Sequence, residues 1–263
     1  FAHNGITESM AGMITLKQGN LLMAPVEALV NTVNTRGVMG KGIALQFRQA
    51  FPENYKVYHA ACRRNEVIPG RMLVVPTNHV AGPRLIINFP TKRHWKGKSR
   101  LEDIDAGLVD LLRVVREYQI MSIAIPPLGC GNGGLDWDIV RPRIESSFAT
   151  CPEVDVWLYE PEGAPNPDSM PVGTSAPNMT PAQAALLGLM ARYAEPGYRM
   201  SMIEIQKLAY LLQSAGENLK LEFVRGQYGP YAETIHHVLQ RLEGHHIRGY
   251  GDRSDDARIT LLN

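Results

Sequence analysis

The stretch "IPPLGCGNGGLDWDIV", Ile125 to Val140, decides the fold class. An apolar run ends in prolines, a glycine-rich loop follows, and a helix-forming segment comes after it. A strand that feeds a helix through such a loop is the βα unit of an α/β sheet. Gly129, Gly131 and Gly134 also satisfy G-x-G-x-x-G, the dinucleotide pattern. That pattern belongs to the first βαβ unit of a domain and needs an acidic ribose partner about 20 residues on. Here it precedes the last strand of its region, which disfavours an NAD-dependent enzyme.

A second loop of the same kind is "VNTVNTRGVMGKGIALQF", Val30 to Phe47. Gly40–Lys41 is not a Walker A loop, because no glycine stands at the required spacing before it and no Ser or Thr follows. Glycines let backbone N–H groups approach phosphate oxygens, and the following helix adds a partial positive charge. Either loop alone is also compatible with an ordinary βα turn. Two of them flanking one crevice suit a diphosphate.

Outward from these loops, "MITLKQG", "EALVNTV", "RMLVVPT", "RLIINFP", "MSIAIPPL" and "EVDVWLYE" are short apolar or β-branched runs bounded by Gly, Pro or Asn. Helical stretches lie between them. Ser99 and Glu102 have capping-box spacing, and Leu101, Ile104, Leu108, Leu111, Leu112 and Val115 recur at helical period. The alternation predicts a sheet covered on both faces over residues 13–160. "EPEGAPNPDSMPVGTSAPNMTP" then reads as a semi-extended linker over 161–179. Residues 180–263 are expected to form a smaller, mostly helical domain, with a winged-helix-like arrangement as one form it could take. Its start signals are Thr180, Pro181 and Gln183, then Ser201 and Glu204, with Gly216 as a stop. "LKLEFV" and "ARITLL" are expected strands, and "YGPYAETIHHVLQRLEG" a third helix. Residues 1–12 read as a tag or disordered N-terminus.

The 263 residues are 44% hydrophobic with net charge +1, so any nucleic-acid contact must come from a local patch. Three cysteines without CxxC spacing argue against disulfides and zinc. No apolar stretch reaches the roughly 18–20 residues of a membrane span, and the expectation is a cytoplasmic protein of a reducing compartment. His236, His237, His245 and His246 lack companions at metal-site spacing, and neither metal nor cofactor is expected. Cys130 reads as a small loop residue, and Tyr228 and Tyr231 as turn and core residues.

One local patch exists. "NFPTKRHWKGKSR", Asn88 to Arg100, places Lys92, Arg93, Lys96, Lys98 and Arg100 after an apolar run, with no acid before Glu102. It is either a solvated turn or a place where an anion is held. His94 and Trp95 beside Lys96 and Lys98 fit a nucleic-acid lip, with cations for phosphates and a ring for a base. Trp95 as a cap on the sheet edge fits equally well.

Together, "GNLLMAPVEALVNTVNTRGVMGKGIA", "INFPTKRHW" and "IPPLGCGNGGLDW" resemble a macrodomain, the three-layer α/β/α module with a mixed sheet that binds ADP-ribose. The resemblance is to the DarG antitoxin family, and the second region is similar to Panacea-type antitoxin domains through "IQKLAYLLQ" and "GQYGPYAETIHHVL". It implies an enzyme that removes ADP-ribose from thymidine in single-stranded DNA, with a C-terminal domain that binds and restrains a DarT toxin, a DNA ADP-ribosyltransferase. It implies Lys92 as the catalytic residue and Asn34 on the distal ribose hydroxyls. Asn20, Leu21, Asn31, Gly40, Lys41, Gly42, Ile43, Ala44 and Thr91 would bind ADP-ribose, as would Gly129, Cys130, Gly131, Asn132, Gly133, Gly134 and Leu135. Arg93, His94, Trp95, Lys96 and Lys98 would face DNA.

Two positions depart from the family pattern. Asn20 stands where an Asp commonly reads the adenine amino group, and its amide oxygen can still accept that bond. Gly133 stands where a related glycohydrolase has an acid that assists the lysine. Lys92 would stabilise or protonate the departing base, or attack as a neutral amine once its pKa is lowered by burial or a neighbouring cation such as Arg93. A macrodomain that reads ADP-ribose without cleaving it is the alternative.

Overall fold

A computed structural model of the chain describes residues 13–78, 82–163 and 165–262. Residues 1–12, expected to be a tag or disordered, lie outside them. The chain divides into two compact units. The first comprises residues up to Met39 and Pro52–Gly163, and the second comprises Gly40–Phe51 and the residues after Gly163.

The first unit is built on six strands: β1 (Ile14–Lys17), β2 (Ala28–Asn34), β3 (Leu73–Pro76), β4 (Leu85–Lys92), β5 (Ser122–Ile125) and β6 (Asp155–Tyr159). They lie in the order β1-β6-β5-β2-β4-β3, with every pair parallel except β3–β4, so the sheet is mixed. All six expected strands are present. Central β2 and β4 are buried almost throughout, as strands covered on both faces must be. Helices α3 (Leu101–Glu117) and α4 (Trp137–Phe148) cover one face, their Ile104, Leu108, Leu111, Val140 and Ile144 packing with Val30, Ile87, Phe89 and Ile125. Each such fully buried side chain contributes about 1.5–3 kcal/mol. Gly107 has no side chain because a Cβ there would overlap the Phe89 ring.

Helix α2 (Pro52–Arg63) serves the sheet through polar bonds. Asn54 and Asn88 exchange two amide hydrogen bonds (3.2 and 2.7 Å), and Asn31 Nδ2 donates to Asn88 Oδ1 at 3.0 Å. All three asparagines are buried, where an unpaired amide costs far more than an exposed one, and Asn31 Oδ1 is left without a partner among the described residues.

The start of α3 corrects the sequence reading. Arg100, in an extended conformation, is its N-cap and makes no side-chain cap bond. Ser99 is buried with its Oγ unpartnered, because its backbone N–H is bonded to Gly133 O (3.0 Å) and the side chain is packed under the glycine loop.

In the second unit, α5 (Pro181–Tyr193) and α6 (Met202–Ser214) begin with complete capping boxes at Thr180/Gln183 and Ser201/Glu204. Gly216, at φ +109°, follows the α6 terminus as expected of a left-handed stop. The third helix, α7 (Ile235–Leu242), is shorter than expected. Upstream of it, β8 (Val224–Gly226) and β9 (Gly229–Tyr231) form a hairpin, and the strand expected at "LKLEFV" begins only at Val224. Strands β7 (Met200–Ser201), β10 (Ile247–Arg248) and β11 (Arg258–Leu261) form an antiparallel sheet in the order β10-β11-β7.

Two segments depart from the expected boundaries. Helix α1 (Gly42–Ala50) gives Leu45 to the core of the second unit, among Leu186, Met190, Leu208 and Leu239. Gly42 N–H donates to Asp252 O at 2.9 Å, and Lys41 Nζ lies 3.6 Å from Asp255. The Pro-rich segment is docked rather than free. Met170 is buried, Arg248 donates to its carbonyl, Gly173 N–H donates to Gln49 O, and Arg199 binds both oxygens of Asp168.

His236 is buried against the Tyr250 hydroxyl (3.2 Å), and desolvation pushes its pKa down to about 4. His245 meets Thr174 Oγ1 at 3.0 Å. No described helix is long and apolar enough to cross a membrane.

Candidate functional site

Strands β2, β4 and β5 run parallel, so their carboxyl ends share one edge of the sheet. The chain leaves β2 towards β4 and leaves β5 towards β6. The edge between β2 and β5 is therefore the point where the winding reverses, the usual ligand crevice of an open α/β sheet. Asn34 and Lys92 end their strands as register partners, after an irregularity between Val33 and Asn34.

Asn34 organises the loop that follows it. Its Oδ1 accepts from Arg36 N (2.9 Å) and from the Tyr58 hydroxyl (3.2 Å), and its Nδ2 donates to Val38 O (2.6 Å). Tyr58 also donates to the Asn34 carbonyl at 2.7 Å. Burial holds the Tyr58 pKa well above the usual phenol range, so it remains a donor. Thr35 then ties the loop to β4: its N–H donates to Lys92 O (3.1 Å) and its Oγ1 to Arg93 O (2.7 Å).

Lys92 Nζ donates to two carbonyls, Trp95 O at 2.9 Å and Asn132 O at 3.2 Å. It thus joins the basic turn to the second glycine loop. Burial, and then the charge of Lys98, push its pKa below the ordinary lysine value. The depressing cation is Lys98, and the expectation of Arg93 in that role is corrected. Arg93 forks onto Asp103 (Nε–Oδ2 3.1 Å, Nη2–Oδ1 2.9 Å). Lys98 instead lies across Gly134, where a Cβ would be 2.9 Å from its Nζ.

The glycines of the second loop divide by what they face. A Cβ on Gly133 would overlap Ser99 Oγ and the Gly129 carbonyl, and one on Gly129 would lie 2.8 Å from Leu135. Gly129 and Gly134 also hold positive φ (72° and 75°). Gly131 meets nothing within 4 Å, so the fold itself does not require glycine there. Cys130 Sγ faces Leu128 O at 3.5 Å, and burial pushes its thiol up to about 11, which makes it a poor nucleophile.

Around this centre the turn is solvent-exposed. The His94 ring stacks on Trp95 with centroids 5.6 Å apart, and Lys96 Nζ lies 4.7 Å from the centre of the Trp95 ring. Trp95 is 46% exposed, so the ring reaches solvent with His94 and Lys96 as its neighbours.

The remaining expected residues fall into four groups. Leu21, in a short 3-10 turn, and Thr91, in β4, are both buried. Asn31 is fully buried, with its amide given to Asn88, so it joins strands rather than facing solvent. Asn20 caps a short 3-10 turn (Leu21–Met23): its Oδ1 accepts from Leu22 N, and the unpartnered amide atom is the Nδ2 donor, which reverses the polarity expected at the adenine position. Gly40, Lys41, Gly42, Ile43 and Ala44 belong to the second unit, where the Gly42 N–H is already bonded. Thr35, Tyr58 and Asp103 were not singled out from sequence, and Ser99 was read there only as a helix cap. Only Thr35, next to Asn34, had a local signal, since the others reach the site across the fold.

Residues 30–144 match the Macro domain family. The DNA ADP-ribosyl glycohydrolase of Thermus aquaticus is 52% identical over 249 residues, covering 95% of this chain and 69% of that protein. The protein of the same name from Mycobacterium tuberculosis is 49% identical, covering 91% of this chain and 70% of its own. Among solved structures, the macrodomain of Mycobacterium tuberculosis DarG is 58% identical with TM-score 0.57, over 57% of this chain and 99% of that one. Thermosipho africanus DarTG in complex with ADP-ribose is 34% identical with TM-score 0.53, over 58% of this chain and 43% of that one. A lysine poised on a glycine loop at a sheet's switch point, on a chain half identical to these enzymes, leaves one assignment: this chain belongs to the DarG family of macrodomain DNA ADP-ribosyl glycohydrolases.

Proposed function

We infer that this chain hydrolyses the bond between ADP-ribose and a thymine ring nitrogen in single-stranded DNA, with Lys92 at the anomeric carbon. The observation that carries the reading is the seat of Lys92, between the turn at Trp95 and the loop carbonyl of Asn132, beside the Asn34 strand end. The open space at Gly131 supports close approach of a diphosphate to the loop backbone. Asn34, fixed by Tyr58 and Val38, would offer its remaining N–H to the distal ribose.

Breaking the bond develops oxocarbenium character on the sugar and negative charge on the thymine imide. The Lys92 ammonium can neutralise that charge. Its lowered pKa equally supplies a neutral amine able to attack the anomeric carbon. Borohydride trapping of a protein–sugar adduct distinguishes the second route. The reading of the domain as a non-hydrolytic ADP-ribose binder draws support from Gly133, a residue without a side-chain acid where the family resemblance implies one. Incubation with an ADP-ribosylated thymidine oligonucleotide separates the two: free ADP-ribose supports hydrolysis, and bound but intact substrate supports the binder.

The winged-helix-like second unit is proposed to bind and restrain a DarT-type toxin. A curated relative from Thermosipho africanus, 34% identical over 163 residues, is named as a fusion of a DNA ADP-ribosyl transferase with a DNA ADP-ribosyl glycohydrolase. Inhibition of such a transferase by this chain carrying Lys92→Ala would separate restraint from hydrolysis.

A further inference from the structure

Beside the glycine loop lies a cavity of about 560 Å³ lined by Arg93, Arg100, Leu101, Glu102 and Leu135. Leu101 and Leu135 pack on the main core, which makes the apolar floor rigid. Arg93 is unlike a phosphate-binding arginine. Two of its in-plane N–H groups are held by Asp103, whose side chain is 7% exposed while that of Arg93 is 58% exposed. The fork offsets its charge and fixes its plane, leaving the face of the guanidinium for contact. A fixed guanidinium plane is a stacking surface for a base.

The other two groups complete the chemistry. Arg100, extended at the N-cap of α3, has no side-chain cap bond and no carboxylate partner among the described residues. It is the free cation on this rim, suited to a phosphodiester. Glu102, in the first turn of α3, disfavours a phosphate within the cavity itself, and its carboxylate can accept from an exocyclic amine.

We propose that this cavity receives the nucleobase adjoining the ADP-ribosylated one, stacked on Arg93, with Glu102 on its exocyclic amine and Arg100 on the linking phosphate. The position follows from continuity: Arg93 is the residue after Lys92, and Leu135 closes the glycine loop through its N–H to Gly129 O. The proposal rests on the reading that Lys92 faces the scissile bond. It assigns part of the enzyme's sequence preference to this pocket, in favour of cytosine, adenine or guanine over thymine at one neighbouring position.

The test compares kcat/KM for release of ADP-ribose from the modified nucleoside and from oligonucleotides with a cytosine, a thymine or an abasic residue on each side. An abasic neighbour on one side should lower the value about tenfold, the range of one lost stacking contact. Thymine should fall between cytosine and the abasic residue. Arg100→Ala and Arg93→Lys should each lower the ratio of oligonucleotide to nucleoside rates, and in Arg93→Lys the abasic penalty should vanish, since an ammonium has no plane. Equal rates with and without neighbouring bases, or equal losses on nucleoside and oligonucleotide, would overturn the pocket. If the wild-type chain cleaved neither substrate, the catalytic reading would fail on its own, and the abasic comparison repeated as binding to Lys92→Ala would still decide the pocket.

Discussion

Among the described residues no carboxylate reaches Lys92, since Asp103 is engaged by Arg93 and Asp136 by the Asp138 N–H. Its charge is opposed by burial and by Lys98, and no anion offsets them. Removing Lys98 should therefore raise the Lys92 pKa. Whether the active form is the amine, with rate rising through that pKa, or the ammonium, with rate falling above it, the limb moves to higher pH in Lys98→Met. A single-turnover pH–rate profile reads this, and Lys98→Arg should keep the wild-type profile. An unmoved limb would contradict the coupling of Lys98 to Lys92. The glycines give a second pair of outcomes. Gly133→Ala should lower stability by about 1–3 kcal/mol, because the overlapping atoms include backbone that cannot yield. Gly131→Ala should leave stability within about 0.5 kcal/mol and weaken ADP-ribose binding instead. Thermal melts with and without ADP-ribose separate the two.

At the scale of elements, local chemistry was legible wherever it was closed locally. The strands announced themselves because burial on both faces demands continuous apolar runs, and the Thr180 and Ser201 caps because each box spans only four residues. Ser99 carried the same signal and misled, since Gly133 holds its backbone and the loop covers its hydroxyl. The β8–β9 hairpin was hidden by the helical period that follows it, and it turns at Gln227–Tyr228 without an Asn-Gly pair. Glu204 shows how much a cap can carry. The Tyr198 hydroxyl, with Ser201 and Tyr193, outweighs its desolvation and brings its pKa down to about 2. The folded pKa lies below the unfolded one, so the charged form stabilises the fold above about pH 4.5, and this is lost as pH falls towards 2. Glu204→Gln, which can keep the cap geometry as Gln183 does, should lower Tm at pH 7 and progressively less below pH 4.5. A Tm difference independent of pH would contradict the ionic account.

For the whole molecule, the sheet, its order of elements and the glycine loops could be read from residue patterns, whereas the division of the chain could not. Gly40–Phe51 follows β2 in sequence yet belongs to the second unit, through Leu45 and the Gly42–Asp252 bond. Nothing local marks a helix for one core rather than another. The same holds for the site: Lys92 and the second loop stood out as motifs, while Tyr58 and Asp103 act through contacts that only the fold creates. The proposed role of Lys92 is to cleave ADP-ribose from DNA rather than merely to hold it. The most direct measurement places Lys92→Ala beside the wild-type chain, with ADP-ribose affinity by calorimetry and release from ADP-ribosylated thymidine DNA by chromatography. Affinity should stay within a few-fold of wild type, with no detectable release. Retained release by Lys92→Ala would contradict that role.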